Sequence, residues 1–284
     1  MTGLPNTSGT GPGRTSAPPL ACDAHIHILD PAFPPAVPGA RLAARATAAD
    51  YLATRARFGT SRTVIVQAKV YGTDNRCLLD AIARLAPARG IAVVHPGIPD
   101  GELSRLDRGG VRGIRFSVWN PADAVASIDM IAPLAPRLAA LGWHAQIHMS
   151  GDQIAAHAEM LAALPCAIVI DHMGRLPPQA GTAHPAFAAI RRLLDGGRAW
   201  VKLSGAYLNT VAGPPAYADA TAVAQALVRA APERLVWGSD WPHVTEADKP
   251  DTALLFDLLA VWAPDEPTRR RILVDNPAGL YRFD

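Results

Sequence analysis

Long apolar runs are missing from this chain of 284 residues: no stretch reaches the roughly 18 apolar residues that a membrane-spanning helix needs, so none is expected. Cysteine is scarce. Cys22, Cys77 and Cys166 form an odd set without C-x-x-C spacing, which argues against a disulfide framework and for free thiols in a reducing cytoplasm. An excess of one charge is also lacking, with 27 Lys and Arg against 25 Asp and Glu and a net charge of +2. The cations are scattered, and the tight run Arg269, Arg270 and Arg271 reads as a solvated helix face, so a nucleic-acid surface is not expected. Residues 1–18 carry Gly, Pro, Ser, Thr and one Arg but no apolar core, so they read as a disordered arm and not a secretory leader. No internal repeat or Pro/Gly-rich linker divides the rest, residues 19–284, which is expected to be one domain in a soluble, cytoplasmic protein.

What the sequence does have is a rhythm. Short runs rich in Val and Ile recur at 21–28, 63–68, 91–95, 111–117, 144–149, 167–172, 200–204 and 235–240. Between them lie segments of helical periodicity, at about 47–58, 75–86, 101–108, 122–141, 152–164, 185–195, 216–231 and 252–261. In the second, Leu78, Leu79, Ile82 and Leu85 share one stripe, and Gly90 reads as its stop. Strand and helix in alternation imply parallel pairing through right-handed crossovers. Eight such units predict an α/β fold, a single (β/α)8 TIM barrel. No Gly-rich phosphate fingerprint follows the first run, which disfavours a dinucleotide fold. The proline-rich segment 31–39 reads as a loop over the barrel mouth, and 265–284 as an outer helix capped by Asp265 and closed at Asn276-Pro277.

In such a barrel chemistry sits at the C-terminal ends of the strands. The first run ends in His25 and His27, whose i, i+2 spacing points both imidazoles the same way, suited to chelating a metal or polarising a carbonyl. A single H-x-H is weak evidence, since structural histidines fall at this spacing by chance. The other ends are more telling: Arg115 on the fourth run, His148 on the fifth, Asp171 and His172 on the sixth, Asp240 on the eighth. Barrel closure brings all of these to one mouth. Strand parity adds that Gln146 and His148 share a face, that Arg115 points opposite to Arg112, and that Gly238 leaves space beside Asp240. His144, His157 and His184 read as structural or solvated, His95 stays ambiguous, and His243 is expected to reach the mouth from its loop.

These residues resemble the amidohydrolase superfamily, in particular the branch that includes 2-pyrone-4,6-dicarboxylate lactonases and 4-sulfomuconolactone hydrolases. The matching stretches are Asp23-Ala-His-Ile-His27, Val64-Ile-Val-Gln67, Gly72-Thr-Asp-Asn75, Gly110-Val-Arg-Gly-Ile-Arg-Phe116, Ile168-Val-Ile-Asp-His-Met-Gly174 and Val236-Trp-Gly-Ser-Asp-Trp-Pro-His243. The resemblance implies a lactone hydrolase in which Asp240 acts on the attacking water while His25, His27 and His172 bind metal or polarise the carbonyl. His148 matches the superfamily's fifth-strand metal histidine, a position that resembles tyrosine in the metal-free lactonases, and so favours a metal here. The bridging lysine of binuclear members has no counterpart in 111–117, which implies a single ion, Zn²⁺ by its imidazole and carboxylate ligands.

The resulting expectation is a divalent ion held by His25, His27, His148 and Asp240, with Asp240 also taking a proton from water. His172 would stabilise the oxyanion or the leaving oxygen. The loops after the fourth and seventh strands lack the arginines of dicarboxylate-binding relatives, leaving Lys69, Arg115 and Tyr207, with His243, to contact a small acidic lactone. The competing readings are a metal-free lactonase, a decarboxylase or sugar-acid lactone isomerase on the same barrel, and a barrel that binds without turnover. Monomer and homodimer both remain open.

Overall fold

The computed structural model describes residues 3–283; Met1 and Thr2, at the tip of the expected arm, and Asp284 lie outside the described residues. Eight strands, β1 (Cys22–Ile26), β2 (Arg62–Val66), β3 (Ala88–Ala92), β4 (Val111–Ser117), β5 (His144–His148), β6 (Ala167–Ile170), β7 (Ala199–Leu203) and β8 (Leu235–Trp237), pair in parallel in sequence order. The ring closes where Asp240 N–H donates to the His25 carbonyl and His27 N–H to the Trp241 carbonyl, each at 2.8 Å. The structure is the expected (β/α)8 barrel.

The outer layer holds α1 (Ala48–Arg55), α2 (Arg76–Arg84), α3 (Asp100–Arg108), α4 (Ile131–Leu141), α5 (Gly151–Ala156), α6 (Ala158–Ala163), α7 (Pro185–Asp195), α8 (Ala218–Ala230), α9 (Thr252–Trp262), α10 (Glu266–Arg270) and α11 (Asn276–Tyr281). Local chemistry sets several of their starts. Thr47 and Asp50 form a reciprocal capping box on α1, Ser150 and Gln153 do the same on α5, and the Asp265 carboxylate accepts from Thr268 N–H on α10. No helix among the described residues is long and apolar enough to cross a membrane.

Several expectations are corrected. The third strand is Ala88–Ala92, not 91–95, and Gly90 lies inside it instead of stopping a helix: a Cβ there would meet Ile82 Cδ1 at 2.6 Å, so α2 packs on bare backbone. The stripe at 122–141 becomes helical only from Ile131, and that at 152–164 breaks at His157. Asn276-Pro277 opens α11 instead of closing a helix, because proline fits the first helical turn. Residues 3–18 contain no helix or strand, yet they are not a detached arm: the Asp257 carboxylate accepts from Arg14 and Thr15 N–H, and Arg57 donates to the Gly11 carbonyl.

The main core lies between strands and helices, and a second, smaller one fills the barrel floor with Cys22, Ala24, Val64, Val66, Ile91 and Val236 against Tyr281 and Phe283. All three cysteines are buried and free, as expected. Above that floor the interior becomes polar.

Candidate active site

The change from apolar floor to polar interior begins with an irregularity in β1. Asp23 pairs with Thr63 but Ile26 with Ile65, so three steps of β1 oppose two of β2. The Ala24 carbonyl there accepts from the Lys202 ammonium at 2.9 Å, while Ile26 joins the outer core. His25, within the irregularity, and His27, just past it, bring their Nε2 atoms to 3.2 Å from each other. β8 must come very close for the ring to close. At Gly238 a Cβ would stand 2.6 Å from His25 Cβ and 2.8 Å from its backbone nitrogen, so the space expected beside Asp240 is taken by β1 itself.

Each imidazole is oriented by a partner. His27 Nδ1 lies 2.8 Å from the Val66 carbonyl, an acceptor only, so Nδ1 carries the proton and Nε2 presents a lone pair. His148 Nδ1 meets Ser117 Oγ at 2.9 Å and His172 Nδ1 meets Ser204 Oγ at 3.0 Å. Asp240 Oδ1 lies 3.5 Å from His25 Nε2 and 3.7 Å from His27 Nε2, and its Oδ2 accepts from the Tyr207 hydroxyl at 2.6 Å. Strain accompanies this convergence, since His172, Arg175, Asp240 and His243 all adopt positive φ without being glycine.

Beneath them lies a charged layer in which Lys202 joins Arg115, Gln146 and Asp171, already expected at the strand ends. Asp171 Oδ2 accepts from Arg115 Nε at 3.2 Å and Gln146 Nε2 at 3.1 Å, and its Oδ1 is 3.4 Å from His25 Nδ1. Lys202, fully buried, donates to Gln146 Oε1 at 2.7 Å and stands 3.3 Å from His25 Nδ1. The β4–β5 register places Arg115 opposite Gln146 and Ser117 opposite His148, in line with the expected parity. The signal for Lys202 was available: a lysine in the middle of the apolar Ala199–Leu203 strand has no solvent to reach.

Burial dominates the titration of the site. It lowers His25 well below its ordinary range, helped by Lys202, lowers His27 to about 3, helped by Arg115, and lowers His148 and His172 as well, so all four imidazoles are neutral. Burial likewise lowers Lys202 to about 8 and raises Asp240 to about 7, although the Tyr207 hydroxyl and Arg115 pull the latter down. For Asp171 burial acts upward, but the facing His25, Lys202 and Arg115 more than reverse it and hold the carboxyl well below its usual value.

A cavity of about 540 Å³ opens above these groups, lined among others by His27, His148, His172 and Asp240. Of the residues expected to contact substrate, Lys69, Arg115 and Tyr207 line it. His243 does not: it is fully buried behind Tyr207, with Nδ1 3.2 Å from the tyrosine hydroxyl, because the turn after β8 directs it away from the mouth. His95 is exposed and caps its own turn by accepting from Gly97 N–H. Two cations add to the wall that sequence reasoning left out, Arg41 from the loop after β1 and Arg175 after β6; Arg175 lies over the Trp119 ring at 4.6 Å.

The donor set suits a metal ion. Around a tetrahedral zinc with bonds of about 2.0–2.1 Å, neighbouring ligand atoms stand roughly 3.3–3.4 Å apart. His25 Nε2, His27 Nε2 and Asp240 Oδ1 form a triangle of 3.2, 3.5 and 3.7 Å. His25, His172 and Asp240 also offer ligand atoms within 4.8 Å of one another. His148, an expected ligand, is outside that group; its buried Nε2 has no hydrogen-bond partner among the described residues.

Comparison with known proteins agrees with this architecture. The chain is 35% identical to a 2-pyrone-4,6-dicarboxylate hydrolase from Comamonas testosteroni over 276 residues, 93% of this chain and 90% of that protein. It is also 35% identical to a 4-sulfomuconolactone hydrolase from Rhizobium radiobacter, covering 98% and 97% of the two chains. Among solved structures, an apo protein from Agrobacterium tumefaciens superposes with a TM-score of 0.89 at 28% identity, over 98% of each chain. The amidohydrolase family model matches residues 22–283, from the first residue of β1 to the barrel floor, and with the histidines and the aspartate gathered at one barrel mouth the chain belongs to the amidohydrolase family.

Proposed function

We propose that this chain hydrolyses small acidic lactones. The observation that carries this reading is Asp240, a buried carboxyl raised to about 7 and set among neutral imidazoles beneath a cation-walled cavity. A base with a pKa near the working pH is suited to taking a proton from water. Tyr207 occupies Oδ2, which leaves Oδ1 for that proton. In the tautomer in which Ser204 donates to Nδ1, His172 carries its proton on Nε2 and can give a hydrogen bond to the oxygen on which charge develops. Lys69, Arg115 and Arg175 hold the acidic substituents, with Arg41 at the rim. With Arg115 already paired to Asp171, Lys69, Arg41 and Arg175 face Asp240 and Glu246, which suits an anionic substrate, and the hydrolase names of both curated relatives support the same chemistry.

His25, His27 and Asp240, with His148 or His172 completing the set, fit one zinc-type ion by the spacing of their donor atoms. Such an ion supplies Lewis acidity at the carbonyl and a lower pKa for water. A metal-free reading has its own support in Lys202, whose ammonium lies 3.3 Å from His25 Nδ1 and opposes a second positive charge on that imidazole. In that case Asp240 still serves as base, and the histidines with Arg115 polarise the carbonyl.

The test is proton release across a panel of carboxylated and sulfonated muconolactones, pyrones and sugar-acid lactones, with metal content and chelator sensitivity measured on the same preparation. Ring opening releases a proton. Carbon dioxide instead identifies a decarboxylase, and conversion with neither product an isomerase. No turnover on any acidic lactone refutes the proposal.

A further inference from the structure

The N-terminal segment reaches the reacting centre without touching the cavity. Thr7 is buried, and its hydroxyl lies 3.0 Å from both the backbone N–H and the hydroxyl of Thr252, at the start of α9. Thr252 Oγ1 meets His243 Nε2 at 3.0 Å, His243 Nδ1 meets the Tyr207 hydroxyl at 3.2 Å, and that hydroxyl donates to Asp240 at 2.6 Å. From Asp240 as far as Thr252 the donor sense follows from the ionised carboxylate. When Asp240 is ionised it accepts only, so Tyr207 spends its single proton on the carboxylate. The tyrosine oxygen then accepts from His243 Nδ1–H, and Nε2 accepts from the Thr252 hydroxyl. Thr252 is seated in turn by Thr7 Oγ1, which accepts from its backbone N–H and has the Ser8 and Pro250 carbonyls at 3.1 and 3.4 Å for its own proton.

A second contact runs beside the first. The Trp241 indole N–H donates to the Pro5 carbonyl at 3.4 Å, and Trp241 follows Asp240 directly. Arg57 secures the segment from below, with Nη1 donating to Thr7 Oγ1 and the Ser8 carbonyl at 3.3 Å each, while its Nη2 pairs with Asp251 at 2.8 Å. We propose that residues 5–8 are a positioning element of the active site, in which Thr7, by seating the Thr252 hydroxyl against His243, sets the orientation of Tyr207 and through it Asp240. Thr7 is a positioning residue, and its effect on turnover rests on the reading of Asp240 as the base.

The experiment compares Thr7→Val and Thr7→Ser in the full chain. It measures kcat and KM on an acidic lactone, the ¹⁵N resonances of the His243 ring, and the melting temperature, with all assays held well below melting. Val keeps the shape and removes the hydroxyl; Ser restores it. The expected result for Thr7→Val is a 3- to 10-fold lower kcat with KM within 2-fold, together with displaced His243 resonances, and Thr7→Ser recovers both. Unchanged His243 resonances overturn the proposal, whatever the activity, and so does a loss of kcat that Thr7→Ser does not restore. If Asp240→Asn leaves turnover intact, the reading of Asp240 as the base falls, while the His243 displacement in Thr7→Val still decides the relay.

Discussion

Replacing Asp240 by Asn separates what the carboxylate does for chemistry from what its burial costs the fold. Burial raises this carboxyl from 3.8 to about 7 despite the opposing Tyr207 hydroxyl and Arg115. At 1.36 kcal/mol per unit, a displacement of roughly three units corresponds to about 4 kcal/mol. The folded state binds the proton more tightly than the unfolded chain, so this carboxyl's contribution is full below about pH 4, declines as pH rises between the two pKa values, and is gone above about pH 7. Asp240→Asn has no proton to lose. Its stability relative to wild type should therefore grow by about 3 kcal/mol between pH 5 and 8.5, roughly 8 °C in melting temperature, while turnover falls by about 10²–10⁴. Denaturant or thermal unfolding at a series of pH values measures this, with chelator present so that no ion compensates the carboxylate. Asp23, also raised by burial to about 6, titrates in both proteins and cancels in the difference. Parallel stability curves for the two proteins would refute the argument.

Three further perturbations address the groups around Asp240. Tyr207→Phe removes a hydrogen bond that favours the carboxylate, worth about 1.5–3 kcal/mol, so the rising limb of the pH–rate profile should move about 1–2 units alkaline; an unmoved limb contradicts this. Arg175→Met should raise KM for a carboxylated lactone about 10- to 100-fold with little change in kcat, since its contact is made equally in ground and transition states. A lower kcat at constant KM would place Arg175 on the reacting atoms instead. Lys202→Met strips a buried cation from Asp171 and Gln146 and should destabilise the fold by about 3–5 kcal/mol in equilibrium unfolding; a loss under about 1 kcal/mol would mean the layer relaxes without it.

Where one physical rule acted alone, the sequence was easily read. Val111–Ser117 and Pro185–Asp195 were bounded correctly because an apolar run or stripe met plain start and stop chemistry. β3 was misplaced because Arg89 and Gly90 look like a turn, and nothing local tells that Gly90 is there to let Ile82 and Leu78 pack on the strand. The strand-end rule brought His25, His27, His148, His172 and Asp240 to one mouth, but depth along the barrel axis has no period in the sequence. Hence the sequence alone does not tell whether His148 or His172 stands nearer His25 and Asp240, and the donor atoms of His172 lie within 4.8 Å of theirs. Arg175 carries no strand-end signal, since it arrives from the left-handed turn after β6. His243 was read as pointing inward from its spacing to Asp240, yet positive φ at both residues turns it to Tyr207 and Thr252.

The barrel has one seam unlike the others. Adjacent strands from β1–β2 through β7–β8 are joined by parallel ladders, but β1 and β8 meet through two backbone hydrogen bonds past the end of β8, a bridge from Ile26 to Trp241, and the Asp23 carboxylate accepting from Ser239 N–H. His25 and His27 stand on one lip of this seam and Asp240 on the other. The site is thus a clasp across the least supported joint of the ring, and opening the joint dismantles the triangle of donor atoms before any helix has to leave. Loss of activity on warming should then precede loss of the fold, with amide exchange rising first at Asp240 and His27. Whatever binds between the lips, ion or substrate, tightens the ring as a whole.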